Sequence, residues 1–358
     1  MKKLLTQPFF IKLFNWEYWP FNVVYGPIYL YWFWLCIQSR SFFFFNAANP
    51  SIKNGGFLLE SKKEIYDLIP QQYYPRTLFF HDTVSANELE QKLEKTKLVF
   101  PLIGKPDIGM RGLSVKKLEN IDEVLSYAAE SKVNFLIQEF IPLENEVGIF
   151  YYRYPSSDRG QIFSITEKQF PILIGNGRST LEQLILNDSR AVCLAEKYFE
   201  QNRKTISEIP ADGEAVEIVR IGTHSRGAIF TDGEWLKTAA LENKIDEICC
   251  GYPGFNFGRF DIRAESFDDL RRGECFRIVE LNGVTSESTN IYDPKYSLVD
   301  AYRILFDQWR IAFEIGAANR DLGAKTTSVS DLIRLIFGRK IQSDSSPADE
   351  HRPLTAGR

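Results

Sequence analysis

The chain has 358 residues, of which 44% are hydrophobic and 25% charged, as in an ordinary folded protein. Its length predicts two or three structural units. The formal net charge of −4 excludes the broad basic surface that nucleic-acid binding needs, so no nucleic-acid partner is expected. The five cysteines include no CxxC spacing, which predicts reduced thiols in a cytoplasmic protein.

The N-terminal segment is rich in aromatic residues and has no formal charge between Tyr18 and Ser39. A membrane-spanning helix needs about 20 apolar residues. Here Pro20 and Pro27 interrupt the run, and only Ile28 to Ile37 is strongly apolar. Three interpretations stay open: a short aromatic helix packed on the protein, peripheral membrane contact through residues 16–45 that would make the protein membrane-associated, and a true span.

The first half of the chain predicts a small α/β region followed by a glycine-bearing loop. A buried strand is expected at 41–45, and Ser61 is expected to cap a short helix. Ser85 should cap a second helix in a capping box with Glu88. Further along, the pattern predicts strands at 99–103, 113–116, 135–140 and 147–153, a loop at 105–112 and a helix at 121–131.

The second half predicts strands that alternate with helices and end in a long helix. We expect strands at 215–220, 227–230, 257–263 and 276–281, with helices at 180–186, 244–250 and 298–315. The polar residues 340–358 should be disordered.

Two of these strands carry a pattern typical of metal binding. In a strand, residues two apart point to the same face, so Arg259 and Asp261 share a face, as do Glu280 and Asn282. Two carboxylates and an amide oxygen are hard ligands that suit Mg²⁺, which usually enters enzymes together with nucleotide phosphates. The pattern therefore predicts phosphate chemistry in a chain without a Walker loop.

Lys105 precedes a loop that contains Gly109 and Gly112. A lysine after a strand is a point charge that can hold phosphate oxygens. The glycines allow the backbone to approach a polyanion. The alternative is a glycine-rich hairpin with a surface lysine.

A second group lies at the junction of two predicted strands: Gln138, Glu139, Phe140 and Ile141, followed by Glu146. Where Glu139 ends its strand, the turning chain can expose backbone groups to an adenine edge. Glu146 can accept hydrogen bonds from ribose hydroxyls. The alternative is that both glutamates are solvated strand ends.

Taken in order, these motifs resemble the ATP-grasp superfamily, and within it D-alanine–D-alanine ligases and other carboxylate–amine ligases, over roughly residues 57–315. The resemblance implies an α+β, ATP-grasp fold with two α/β subdomains and the nucleotide between them. It assigns the phosphates to Lys105 and Arg259, the adenine hinge to Glu139, and the ribose to Glu146. The family's metal ligands match Asp261, Glu280 and Asn282. Its earlier nucleotide-binding lysine matches Lys62 or Lys63, and the sequence does not choose between them.

Substrate residues are expected from the same resemblance. Arg220 and Arg226 are candidates to hold a substrate carboxylate. Thr285 and Ser286 follow the metal pair, in the loop that binds the acceptor in D-alanine–D-alanine ligases. This loop lacks that family's Pro-Gly-Met-Thr form, which puts D-alanine in doubt as the substrate.

The resemblance implies an ATP-dependent ligase that joins a carboxylate to an amine through an acyl phosphate. ATP and Mg²⁺ (or Mn²⁺) are the expected cofactors, small-molecule or peptide carboxylates and amines the expected substrates, and a homodimer a possible assembly. The alternatives are a non-catalytic nucleotide-binding sensor or scaffold, and an ATP-grasp kinase. The expected domains are an aromatic segment (1–40), a small α/β region (41–100), a glycine-loop subdomain (101–178), a metal-binding subdomain (179–318) and a tail (319–358).

Overall fold

The computed structural model describes residues 8–57, 60–108, 115–219, 227–330 and 333–334. Its helices are α1 (Pro8–Phe14), α2 (Phe21–Val24), α3 (Gly26–Ser39), α4 (Lys62–Tyr66), α5 (Ala86–Thr96), α6 (Ile121–Glu130), α7 (Leu181–Asn187), α8 (Ala195–Gln201), α9 (Ala239–Cys250), α10 (Phe267–Arg272) and α11 (Leu298–Asp321). Its strands are β1 (Thr77–Phe80), β2 (Leu102–Pro106), β3 (Lys116–Leu118), β4 (Phe135–Glu139), β5 (Asn145–Tyr152), β6 (Gln161–Gln169), β7 (Ile172–Ile174), β8 (Ala215–Glu217), β9 (Ile229–Asp232), β10 (Phe257–Ala264) and β11 (Phe276–Asn282).

The strands form antiparallel sheets, so the predicted α+β class is confirmed. A four-stranded sheet has the order β1-β4-β2-β3, and a five-stranded sheet has the order β11-β10-β5-β6-β9. β7 and β8 form a separate pair. The chain passes from the smaller to the larger sheet between Glu139 and Asn145, where β4 ends and β5 begins.

Side chains alternate between the two faces of the five-stranded sheet along each strand. Ile149 and Phe260 are buried in the same core as Ile245 and Ile248 of α9. Glu146 and Asp261 lie on the opposite face, which cannot join this core. The sequence of β5 and β10 therefore directs carboxylates away from the hydrophobic core and into the space between the sheets.

The four-stranded sheet is covered by two helices with capped starts. Ser85 accepts from the N–H of Glu88 as predicted, but the Glu88 carboxylate pairs with Lys92, so the predicted capping box is only half formed. Ser85 and Asn120 cap α5 and α6 through their side-chain oxygens. Leu89 of α5 and Val124 of α6 are fully buried in the core of this sheet. Packing of the helices on one face leaves the other face, which carries Lys105, available to the second sheet.

The aromatic N-terminal segment packs on the body of the protein through one side of α3. Leu35 and Cys36 share a core with Ile311 and Ile315 of α11. The other side of α3 is exposed, with Leu30 at 75% and Ile37 at 62% of full exposure. Within the described ranges, no helix has the length and apolar character that crossing a membrane requires.

One predicted strand is wrong and three are displaced, including 113–116 and 227–230, which are β3 (Lys116–Leu118) and β9 (Ile229–Asp232). Residues 41–45 are not a strand, because Phe44–Ala48 forms a short 3-10 helix that packs against Trp309 and Phe313. An apolar run without alternation does not distinguish a strand from other buried conformations. The strand expected at 99–103 is β2, Leu102–Pro106, so Lys105 lies inside a strand rather than after one.

Asn49 connects the N-terminal region to the start of β10 and supports a stability prediction. Its side chain accepts hydrogen bonds from the backbone N–H groups of Asn256 and Phe257, both at 2.9 Å, and donates to two carbonyls. The residue is fully buried. Asn49→Ala would leave these buried polar groups without hydrogen-bond partners. Since each unpaired group costs about 1–3 kcal/mol, we expect the free energy of unfolding to fall by about 3–5 kcal/mol. Denaturant unfolding measures this, and the exposed-site variant Asn87→Ala is the control; equal midpoints for the two variants would contradict it.

Candidate active site

A cleft of about 2510 Å³ separates the two larger sheets. The residues that line it include, from the smaller sheet and the turn after it, Lys105, Gln138, Glu139, Phe140 and Ile141, and from the larger sheet Glu146, Lys168, Arg259, Asp261, Glu280 and Asn282. Most residues predicted for a nucleotide and its metal therefore share one cavity, although they are separated by up to 220 positions, from Lys62 to Asn282.

The candidate metal ligands are brought together by the pairing of β10 with β11. In this antiparallel register, Asp261 lies opposite Glu280, and Arg259 lies opposite Asn282. Side chains of directly opposed residues project to the same face, with Cβ atoms about 4.5–5.5 Å apart. A register shift after Asp261 adds one residue to β11, and the extra residue is Val279. The two strands thus present two carboxylates, an amide and a guanidinium to the cleft.

Asp261 is held between two cations. Arg259 donates Nε to its Oδ1 at 3.1 Å, and Lys168 Nζ lies 3.2 Å from its Oδ2. Burial alone would raise the pKa of this carboxyl group, but Arg259 and Lys168 hold the pKa below its usual range. Asp261 is therefore an anion at neutral pH, as a metal ligand must be.

Lys168 is a site residue that the sequence reasoning missed. Its Nζ donates to Glu146 Oε1 at 2.8 Å and also lies by Asp261, so one ammonium joins the predicted ribose and metal carboxylates. Burial would lower the pKa of Lys168, but Asp261 and Glu146 raise it above its ordinary value. The available signal was the alternation of Ser164, Thr166 and Lys168 along β6, which was not predicted as a strand.

Gly148 keeps open the space in which these side chains meet. It lies opposite Asp261 in β5, on the cleft face. A Cβ there would lie 3.2 Å from Arg259 Cδ and 3.5 Å from Asp261 Oδ1. Glycine therefore leaves Arg259 room to reach both Asp261 and the loop beyond β11.

Lys105 links the smaller sheet to the larger one across the cleft. Its Nζ donates to Tyr66 Oη and Gln138 Oε1, both at 2.8 Å, and to the carbonyl of Val279 at 3.4 Å. Burial lowers the pKa of Lys105 to about 8, and the nearby negative charge of Glu280 opposes this shift. The bulged Val279 thus directs a carbonyl to Lys105, beside the carboxylates that are candidate metal ligands.

The predicted adenine end of the cleft has a different arrangement of charges. Both oxygens of the Glu139 carboxylate accept from Arg76, at 3.1 and 3.2 Å. Its hydrogen bonds with Arg76 lower the pKa of Glu139 although burial opposes this. The side chain is therefore occupied, and the following backbone is the part of this turn that can meet a base. Glu146 accepts from Arg263 at 2.9 Å as well as from Lys168.

The remaining predicted residues differ in position. Lys62 lines the cleft, whereas Lys63 is exposed and pairs with Asp67. Thr285 and Ser286 are not among the described lining residues, and their hydroxyls donate to backbone carbonyls of Gly56 and Asn282. Gly109, Gly112, Arg220 and Arg226 lie outside the described residues, as does the tail at 340–358.

The donor set fits a divalent cation with a preference for oxygen. Asp261, Glu280 and Asn282 offer carboxylate and amide oxygens from a rigid sheet. Each Asp261 oxygen already accepts one bond, but a carboxylate has about four lone-pair sites, so it can still coordinate an ion. The buried Nδ2 of Asn282 has no hydrogen-bond partner among the described residues, so this amide is not fixed by a structural bond at that atom.

Comparison with known proteins gives structural resemblance without sequence relatives. No protein-family model matches the chain, and no curated protein matches it. A bifunctional glutathione synthetase from Pasteurella multocida has 13% identity and a TM-score of 0.40, over 69% of this chain and 36% of that protein. The D-alanine–D-alanine ligase of Bacillus anthracis complexed with ATP has 16% identity and a TM-score of 0.40, over 72% and 65%.

The ATP-grasp ligase PsnB, complexed with a phosphomimetic variant of its minimal precursor, Mg and ADP, has 12% identity and a TM-score of 0.37, over 70% of this chain and 58% of that protein. The chain thus spans about a third of the glutathione synthetase and about three fifths of the other two proteins. Similarity at this level assigns no activity. The predicted resemblance is confirmed: the chain resembles ATP-grasp ligases.

Proposed function

We propose that the protein is an ATP-dependent ligase that joins a carboxylate to an amine. One observation carries the proposal: Lys105, Arg259 and the candidate metal ligands line the same cleft between two sheets. Three cationic side chains from different strands meet in this cleft: Lys105 from the smaller sheet, Lys168 from β6 and Arg259 from β10. A polyanion such as a triphosphate would be held by Lys105 and Arg259, while Lys168 is paired with Glu146 and Asp261.

The carboxylates and the cations have separate tasks in this reaction. Asp261, Glu280 and Asn282 would hold Mg²⁺ or Mn²⁺, which neutralises charge on the transferred phosphoryl group when bound. Lys105 and Arg259 would stabilise the phosphoryl oxygens during transfer. Glu146 would accept from ribose hydroxyls, and Lys168 would keep Glu146 and Asp261 in fixed positions.

The proposed reaction consists of two successive displacements. An oxygen of the substrate carboxylate attacks the γ-phosphorus of ATP, the bond to the bridging oxygen breaks, and ADP leaves. The amine nitrogen then attacks the acyl carbon, the bond to phosphate breaks, and the nitrogen loses a proton to the departing phosphate or to water. Splitting the reaction avoids expulsion of a basic oxide from a free carboxylate.

ADP release with a library of carboxylates and amines tests the function. We expect release only when a carboxylate and an amine are both present, together with a new amide detected by mass spectrometry. A stable phosphorylated product without an amide would favour the kinase alternative. Nucleotide binding without turnover for any pair, with cellular function intact in Asp261→Asn, would favour the sensor or scaffold alternative.

The exposed side of α3 supports a further prediction, peripheral membrane contact through residues 16–45. Leu30, Phe33, Trp34 and Ile37 share this side at helical spacing, and all are exposed. Tryptophan beside apolar residues is typical of membrane interfaces. We expect the protein to sediment with phosphatidylcholine and phosphatidylserine vesicles. The double variant Leu30→Gln/Ile37→Gln should bind these vesicles at least about tenfold more weakly. Undiminished sedimentation of this variant would contradict the prediction, and vesicle-independent dimers in light scattering would assign the surface to a second copy instead.

A further inference from the structure

Glu287 is a carboxylate of the cleft that has no role in the proposed nucleotide and metal sites. It lies in the loop that follows the candidate metal pair, and its side chain lines the cleft. Its backbone carbonyl accepts from Arg259 Nη1 at 3.0 Å. Glu287 is therefore a direct neighbour of the guanidinium assigned to the phosphoryl oxygens.

The loop that carries Glu287 is held rigidly by its flanking residues. Gln308, which is buried, donates Nε2 to the carbonyl of Ser286 at 2.8 Å and accepts from the N–H of Ser288 at 2.9 Å. Thr289 pairs with Thr166 of β6 at 3.0 Å. The residues on both sides of Glu287 thus bind into the protein, whereas its own side chain is directed into the cleft. A fixed carboxylate is suited to recognition because little order is lost on binding.

Aromatic rings surround this carboxylate. The hydroxyl of Tyr25 donates to Glu287 Oε1, and the hydroxyl of Tyr292 donates at 3.1 Å to the same atom. Trp16 stacks on Tyr292 with ring centroids 5.5 Å apart. Aromatic faces attract cations, and a carboxylate attracts them strongly, so the combination is typical of sites for alkylammonium groups.

The N-terminal segment completes this end of the cleft. Arg190 binds both oxygens of Glu17, at 3.0 and 2.9 Å, which fixes the segment to the far side of the cavity. Trp19 and Phe21 line the same cavity, and Phe170 and Phe230 line it from the body of the protein. These four rings offer apolar surface beside the charged residues that also line this end of the cavity, among them Lys12 and Lys197.

We propose that Glu287, with the rings of Tyr292 and Trp16 that also line the cleft, is the recognition site for the ammonium group of an amine substrate that carries an apolar or aromatic body. This inference rests on the proposed ligase function and names its second substrate. The amine is held one residue from Arg259, so after losing its proton it lies beside the acyl phosphate that it attacks. A free amine and the N-terminus of a peptide share this chemistry.

Ligand-observed NMR competition on the full chain, without nucleotide, tests the site. The probes are phenethylamine, its uncharged counterpart 2-phenylethanol, ethylamine, and the amidated tripeptide Phe-Ala-Ala. We expect phenethylamine to bind at least about tenfold more tightly than either 2-phenylethanol or ethylamine. The alcohol lacks the charge, and ethylamine lacks the apolar body. Tighter binding of the tripeptide than of phenethylamine would identify a peptide N-terminus as the source, and the reverse order a free amine.

Two variants and a control make the test specific. Glu287→Gln should abolish the preference for the charged probe, while Tyr292→Phe, which keeps the carboxylate and a ring, should retain it. Glu90→Gln on the exposed surface of α5 should behave as the wild type. Equal binding of charged and uncharged probes to the wild type, or an undiminished preference in Glu287→Gln, would overturn the proposal. Amine binding is measured without nucleotide. Selective amine binding in a protein that never turns over ATP would therefore contradict the ligase function and still support this amine site.

Discussion

Asp261→Asn is expected to reduce ATP turnover by roughly 10²–10³-fold, the consequence of losing about 3–4 kcal/mol of transition-state charge stabilisation. Asparagine keeps the size of the side chain but removes the charge that pairs with Arg259 and Lys168. Without that anion the two cations repel the metal and compete for Glu146. Steady-state ADP release measures the effect, with Mg²⁺ varied to reveal the weaker metal affinity.

The matched control for this variant is Asp268→Asn, because Asp268 is an exposed aspartate in α10 outside the cleft. It should keep full turnover. Thermal unfolding of both variants checks that the loss at Asp261 is not a loss of fold. Turnover in Asp261→Asn within threefold of the wild type would remove Asp261 from the metal site.

Nucleotide affinity is expected to fall as the pH rises above about 8, by roughly tenfold per pH unit, because Lys105 must be charged to hold phosphate. The pKa of its ammonium is about 8 in the free protein, since burial lowers it. Bound phosphates would raise the pKa, so binding takes up a proton above pH 8 and none well below it. Affinity is thus constant at lower pH and declines with increasing pH until the pKa of the complex is passed. Calorimetric titration with ADP and Mg²⁺ in buffers of different ionisation enthalpy measures both the affinity and the proton uptake.

Lys105→Met provides the control for that pH dependence. Methionine fills a similar volume without charge, so affinity at pH 7 should fall about 10–100-fold, as for a charge-assisted hydrogen bond of about 1.5–3 kcal/mol. The decline above pH 8 should disappear together with the proton uptake. A Lys105→Met protein with the same pH profile as the wild type would assign the titration to another group.

The parts of the site that follow strand periodicity could be predicted from the sequence. Arg259 and Asp261, and likewise Glu280 and Asn282, are two apart, and that spacing alone sets their common face. The pairing of β10 with β11 then opposes Asp261 and Glu280. Helix starts were equally accessible, because Ser61 and Ser85 each cap a helix through a local hydrogen bond.

What the sequence could not supply depends on contacts between distant segments. The strand that carries Lys168 was not recognised, because the polar side chains of its alternating pattern, Ser164, Thr166 and Lys168, are themselves buried and do not resemble a solvated strand face. The run of phenylalanines at 42–45 was mistaken for a strand, since its conformation is set by packing against α11. The position of the N-terminal segment at the cleft depends on Glu17 with Arg190, a pair 173 residues apart.

Diffraction from crystals grown with ADP and Mn²⁺ would show where the metal and the nucleotide bind, because the anomalous signal of manganese locates the ion. We expect one anomalous peak within coordination distance of the carboxylates of Asp261 and Glu280, with the β-phosphate of ADP beside Lys105. A peak on another part of the protein, or ADP bound outside the space between the two sheets, would contradict this expectation.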